Sequence, residues 1–248
     1  MRKDKFQHMS ESMQKEGYFK THPHYTDHFG ADLSAADKAL DSMMLALDYS
    51  LSEIIMPAPY SEELERSVKR TESSWLRQMF NPPEDGTALD IGCGFGRTVA
   101  WMQQNYSSVI GTDISQEAIV AAQARFQSFP NVRFYVNDAD ALPAEITRGS
   151  VDFAYAFTVF QHIPREFTIS ILSQLAGLLT NSGVVVFNLL SGINESEESG
   201  VAQTEWAIGY SKQQAEQLIQ NTGLKMQRMV LWSRPETAMK WLWVRAGR

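Results

Sequence analysis

A glycine-rich loop set between an apolar pentad and a helical pattern constrains this chain most. Thr87-Ala88-Leu89-Asp90-Ile91 reads as a buried strand, Gly92-Cys93-Gly94-Phe95-Gly96 as the loop after it, and RTVAWMQQN as a helix. Glycines at a strand-to-helix turn let a ligand approach the backbone closely. The following helix supplies free N–H groups and positive dipole character. Such a unit belongs to an α/β architecture, and the next hundred residues continue it.

SSVIGTD reads as a second strand, and Ser115 caps the helix SQEAIVAAQARF. VRFYVND is a third strand and SVDFAYAF a fourth. Pro164 fits the first turn of a helix carrying Ile169, Leu172, Leu175 and Leu179, which Gly183 ends. SGVVVFNLL is a fifth strand, apolar on both faces and so not an exposed edge. Strands alternating with helices predict a parallel sheet covered on both faces. Residues 191–210 break the pattern. Ser211 with Gln214 then forms a capping box, opening a helix through Ile219 that stops at Gly223. LKMQRMVLW and MKWLWVRAG flank a short turn at Pro235, which demands an antiparallel hairpin at the sheet's end. Trp232, Trp241 and Trp243 fall in these strands and read as sheet and core residues.

The N-terminal part has another texture. Residues 1–33 form a polar arm carrying four of the five histidines. Leu40, Met43, Met44, Leu47, Leu51 and Ile54 recur at helical spacing, with Ser34 and Asp37 at the start and Pro57 and Pro59 at the end. A second helix is expected from Glu62 to Phe80. The division is therefore an arm and helical cap over 1–80 and a catalytic domain over 81–248.

Charge and cysteine content narrow the partners and the compartment. The chain has 22 basic and 29 acidic residues, a net charge of −7. General nucleic-acid or anionic-membrane binding needs a basic footprint, so neither partner is expected. The single cysteine, Cys93, points to a reducing compartment. No apolar leader and no run of membrane-spanning length occurs, so the expected location is the cytoplasm.

Three acids mark the site. Asp90 opens the glycine loop, where it would repel a pyrophosphate but suit a cationic or amino-bearing ligand. The third glycine, Gly96, arrives one residue earlier than in the dinucleotide fingerprint, and no Gly-Lys-Ser/Thr of a phosphate loop follows. Asp113 ends the second strand, where a carboxylate can accept both hydroxyls of a ribose. Asp138-Ala139 ends the third, where a carboxylate and a backbone N–H suit an adenine. All three lie at carboxyl ends of strands, where open α/β sheets bind ligands.

Asp90-Ile91-Gly92-Cys93-Gly94-Phe95-Gly96, Gly111-Thr112-Asp113, Asp138-Ala139 with Leu142-Pro143, and Val151-Asp152-Phe153-Ala154-Tyr155-Ala156 resemble the ordered motifs of class I S-adenosylmethionine-dependent methyltransferases. The resemblance covers about residues 75–248. It implies a Rossmann-like seven-stranded sheet of order 3-2-1-4-5-7-6, strand 7 antiparallel, with helices on both faces. It implies S-adenosyl-L-methionine as cofactor and S-adenosyl-L-homocysteine as product. Asp90, Gly92, Gly94 and Gly96 would sit by the methionine part, Asp113 and Ile114 by the ribose, and Asp138 and Ala139 by the adenine. Phe157 would offer its carbonyl to the cofactor's amino group.

The expected function is methyl transfer by in-line displacement to oxygen or nitrogen of a small-molecule metabolite. The alternatives are a glycan or protein acceptor, or a protein that binds the cofactor without turnover; a nicotinamide oxidoreductase is a third reading. His162, in Thr158-Val159-Phe160-Gln161-His162-Ile163-Pro164, is the candidate base, and Gln161 would orient the acceptor. His22, His24 and His28 match no standard metal spacing, so no metal is expected. A lid is the expected role of their arm, with Tyr18 and Tyr25 as aromatic acceptor contacts. Trp206 and Tyr210, in the insertion after the fifth strand, are further acceptor-pocket candidates. Arg66 and Arg70 could reach an anionic group or serve as surface charges, and Trp75 reads as core.

Overall fold

A computed structural model describes residues 50–54, 80–191, 208–233 and 240–248. Among the described residues nine strands form one sheet: β1 Ser50–Ile54, β2 Thr87–Ile91, β3 Ser108–Asp113, β4 Val132–Val136, β5 Val151–Ala156, β6 Leu179–Ser191, β7 Gly209–Tyr210, β8 Lys225–Ser233 and β9 Lys240–Gly247. Four described helices connect them: α1 Arg97–Met102, α2 Gln116–Arg125, α3 Arg165–Leu178 and α4 Lys212–Gln220.

The sheet runs β1-β8-β9-β6-β5-β2-β3-β4, with β7 beside β6. Its central pairs β2–β3, β3–β4, β2–β5 and β5–β6 are parallel. β9 is antiparallel to both β6 and β8. Without β1 and β7, the order β4-β3-β2-β5-β6-β9-β8 is the expected 3-2-1-4-5-7-6. Strand burial follows position. Leu89 in β2, Ala154 in β5 and Val185 in β6 are fully buried in the centre, whereas the edge strand β4 exposes Val136.

The two sheet faces have separate cores. Leu89, Ala154, Val185 and Phe187 pack with Leu172 and Leu175 of α3 and Leu218 of α4. Ala88, Val109, Phe153 and Tyr155 pack with Val99 and Met102 of α1 and Ile119 of α2. On that second face Phe153, Tyr155 and Phe157 stack in a row along β5, and Trp243 stacks on Phe157 with centroids 5.6 Å apart.

Helix starts follow the expected chemistry. Ser115 Oγ accepts from Ala118 N at 3.2 Å. Ser211 and Gln214 form the reciprocal capping box. Pro164 occupies the capping position itself, with extended ψ of 147°.

Two local expectations are corrected. Ser50–Ile54 does not end a helix; it pairs antiparallel with β8 around a register shift between Leu51 and Glu53. The backbone groups on β8's outer edge need partners, and that demand overrides a short apolar period. Nor does Gly183 stop α3. The chain turns extended at Leu179, with φ −63° and ψ 143°, and enters β6 there. Gly183 instead permits close strand approach, because a Cβ at this position would lie 2.6 Å from the Val151 carbonyl oxygen. The rest of the expected arm and cap, including Tyr18, Tyr25, the three arm histidines, Arg66, Arg70 and Trp75, lies outside the described residues.

Candidate active site

Parallel pairing brings the carboxyl ends of β2, β3, β4 and β5 to one rim. Asp90 is the penultimate residue of β2, Asp113 the last of β3, and Phe157 follows β5. Asp138, exposed, and Ala139, half-buried, follow β4. The motif residues, far apart in the chain, therefore share one edge.

The glycine loop is tightly built. Cys93 N donates to the Thr112 carbonyl at 2.9 Å, and Gly96 N to the Cys93 carbonyl at 2.9 Å. Gly92 has φ 69°, and a Cβ there would lie 2.4 Å from Val159 Cγ2. Gly96 has φ 83°, and a Cβ there would lie 2.6 Å from Phe126 Cε2. Any other residue would be strained in backbone and crowded in side chain at both positions.

Asp113 braces the loop. Its Oδ2 accepts from Gly94 N at 2.9 Å, and its Oδ1 accepts from Ser115 N at 2.9 Å. Burial raises its proton affinity, partly offset by these backbone bonds. Asp90 is buried more deeply, at 2% exposure, and its Oδ2 has no hydrogen-bond partner. Burial pushes its pKa well above the usual carboxylate range, and the Asp113 charge adds to that. A carboxylate in this state needs a cation to become ionised without penalty. The Cys93 thiol is buried; that burial, then the charges of Asp113 and Asp90, hold it protonated and unreactive.

The segment after β5 forms the neighbouring wall. Gln161 Nε2 lies 3.1 Å from His162 Nε2. This contact ties the imidazole to the Gln161 amide; which of the two nitrogens donates depends on the tautomer of the ring. Gln161 Oε1 is buried without a partner, as are Asn137 Oδ1 after β4 and Asn188 Nδ2 on β6. Buried polar atoms are normally bonded. Asp90, Asn137, Gln161 and Asn188 thus place four unmet atoms toward the carboxyl ends of the parallel strands. The sequence reading did not single out Asn137 or Asn188. The signal for Asn188 was present, as a polar residue inside the apolar run Val184-Val185-Val186-Phe187-Asn188-Leu189-Leu190.

Residues 88–183 match the family model of a methyltransferase domain. Over those residues the chain is similar to S-adenosylmethionine-dependent methyltransferases. An uncharacterised 37.1 kDa protein of a Streptomyces fradiae transposon is 38% identical over 80 residues, 31% of this chain and 23% of its own length. An O-methyltransferase of Penicillium expansum is 29% identical over 114 residues, 45% of this chain and 41% of its own. The chain therefore spans less than half the length of these curated relatives. In fold it is similar to geranyl diphosphate C-methyltransferase from Streptomyces coelicolor, with TM-score 0.58 and 15% identity over 86% of this chain and 98% of that one.

The residues present fit S-adenosylmethionine. The unmet, proton-seeking carboxylate of Asp90 suits a ligand bearing a cationic amino group. At Gly92 and Gly96 the missing side chains make room for Val159 and Phe126, which sets the tight course of the loop beside Asp90. Tyr210 requires a correction as an acceptor contact. Its side chain is fully enclosed, its hydroxyl lies 3.4 Å from Thr168 Oγ1, and the Arg165 guanidinium covers its ring at 5.0 Å. β7 places it against the α3 core because the sheet edge there needs backbone partners. Trp206 lies outside the described residues. Among the described residues, no group of three or more His, Cys, Asp or Glu could hold a metal, and no helix is long and apolar enough to cross a membrane.

Proposed function

We propose that this chain transfers the methyl group of S-adenosylmethionine to oxygen or nitrogen of a small-molecule acceptor. The observation that carries the reading is Asp90, buried without a partner for Oδ2, beside an Asp113 that braces the glycine loop. When bound, the cofactor supplies a methyl group already activated on a sulfonium. The residues' work is therefore placement rather than activation.

In this reading Asp113 holds the ribose hydroxyls, with Ile114 against the same group, and Asp138 and Ala139 hold the adenine. The Phe157 carbonyl and Asp90 take the amino group. His162 removes the acceptor's proton as the nucleophile advances, and Gln161, 3.1 Å from its ring, orients the imidazole. The net negative charge disfavours a polyanionic acceptor. The relative named as an O-methyltransferase supports an oxygen acceptor.

The test is label transfer. The full chain is incubated with methyl-labelled S-adenosylmethionine and a fractionated metabolite extract. Label in a low-molecular-mass product is expected. Label recovered only in protein or polysaccharide overturns the small-molecule assignment. Tight S-adenosylhomocysteine binding with no transfer to any fraction overturns turnover itself.

A further inference from the structure

Thr158 follows Phe157 at the end of β5 and has φ 57°. The other described non-glycine residues with positive φ are Asn81 and Asp85, types that tolerate the left-handed region. Thr158 is β-branched, and for such a residue this conformation is strained. Strain of this kind persists only where the surroundings over-determine it. Two bonds do so here. Thr158 N donates to Asn188 Oδ1 at 2.7 Å, and Thr158 Oγ1 donates to the Phe157 carbonyl at 2.7 Å.

Asn188 is itself anomalous. It is 1% exposed, on the sheet face of Val186 and opposite Trp243 of β9. Amide orientation is usually ambiguous, but a backbone N–H can only donate, so Oδ1 must face Thr158. Nδ2 is then directed elsewhere, buried and without a partner. Folding alone would favour leucine at this position, since an unmet buried donor is costly. What the amide does instead is hold a strained residue beside Phe157 through its one bond.

We propose that Asn188 is a positioning residue for the aminoacyl end of S-adenosylmethionine. Its Oδ1 locks Thr158 in the left-handed conformation, and that lock fixes the direction of the Phe157 carbonyl. The inference rests on the reading of Phe157 as the contact to the cofactor's amino group. It assigns to β6 a part in holding a ligand otherwise gripped by β2 to β5.

The experiment compares two ligands by calorimetry on the full chain. S-adenosylhomocysteine carries the aminoacyl end; 5′-methylthioadenosine shares its adenosine and sulfur but lacks that end. Asn188→Leu is expected to weaken S-adenosylhomocysteine about tenfold and 5′-methylthioadenosine less than about twofold. Asn188→Asp keeps an acceptor oxygen opposite Thr158 and retains S-adenosylhomocysteine within about threefold. Thr158→Gly, which relieves the strain and frees the peptide, serves if Asn188→Leu does not fold, and shifts the ratio the same way. An unchanged ratio in a folded variant, or equal weakening of both ligands, overturns the proposal. Wild-type protein that binds neither ligand overturns the cofactor reading, and this proposal with it.

Discussion

Asp90 and Asp152 stand on neighbouring parallel strands at opposite ends of the sheet, and their surroundings have opposite logic. At the amino end, Asp152 Oδ2 accepts from Thr87 N at 2.9 Å, and Oδ1 accepts from Thr180 Oγ1 at 3.1 Å. Both oxygens bind the protein, tying the starts of β2, β5 and β6 together. At the carboxyl end, Asp90 is buried with an oxygen left over. A carboxylate whose bonds are all made within the fold is architecture. One held dry and incomplete is set for something that arrives later. The same residue type serves both, and only the partners distinguish them.

The sharpest way to break this contrast is Asp90→Asn. The substitution removes the buried charge with little change of shape. S-adenosylhomocysteine affinity should fall by about 2–4 kcal/mol in calorimetry, as for loss of one partner of a buried charge pair. At pH above the raised value, where Asp90 is ionised, the unliganded protein should melt higher. The pH dependence has a definite sign. Asp90 takes a proton more readily in the folded state, so its contribution to stability is full below the usual carboxylate pKa. That contribution is lost as pH rises through the raised value. Ligand binding, which needs the ionised form, should weaken as pH falls through the same range. Both slopes should flatten in Asp90→Asn; slopes unchanged in the variant would assign them to another group.

His162→Ala should lower turnover by about a hundredfold while S-adenosylhomocysteine affinity stays within about twofold. Parallel losses in both would make the histidine a structural residue. Asp113→Ala removes the acceptor for Gly94 N and Ser115 N as well as the proposed ribose contact, and should cost about 1–3 kcal/mol of cofactor affinity. Asp152→Ala should do the converse. Denaturant unfolding should show about 1–2 kcal/mol of lost stability, with cofactor affinity unmoved. Weakened cofactor binding in Asp152→Ala would erase the distinction between the two ends.

The alternation of strands and helices, the capping serines and the terminal hairpin were legible from residue order because each depends on neighbours within a few positions. Ser50–Ile54 was not. Its pattern continued a helical period, and only the open edge of β8, far along the chain, made it a strand. Tyr210 failed for a similar reason: its place beyond the fifth strand suggested a pocket, but pairing with β6 turned it into the core. Asn188 was visible as a polar interruption, yet its bond to Thr158 spans 30 positions and two strands.

Local chemistry in the chain was enough to specify a glycine turn after a buried strand and the acids that follow successive strands, and the resemblance carried by those motifs implied the ligand. Those features need only backbone freedom and side-chain type at short spacing. Which acid would be left dry and incomplete, and which amide would hold a strained threonine, emerged only with the folded sheet. Solvent exclusion and the full set of hydrogen-bond partners are properties of segments that meet in space, and no stretch of sequence contains them.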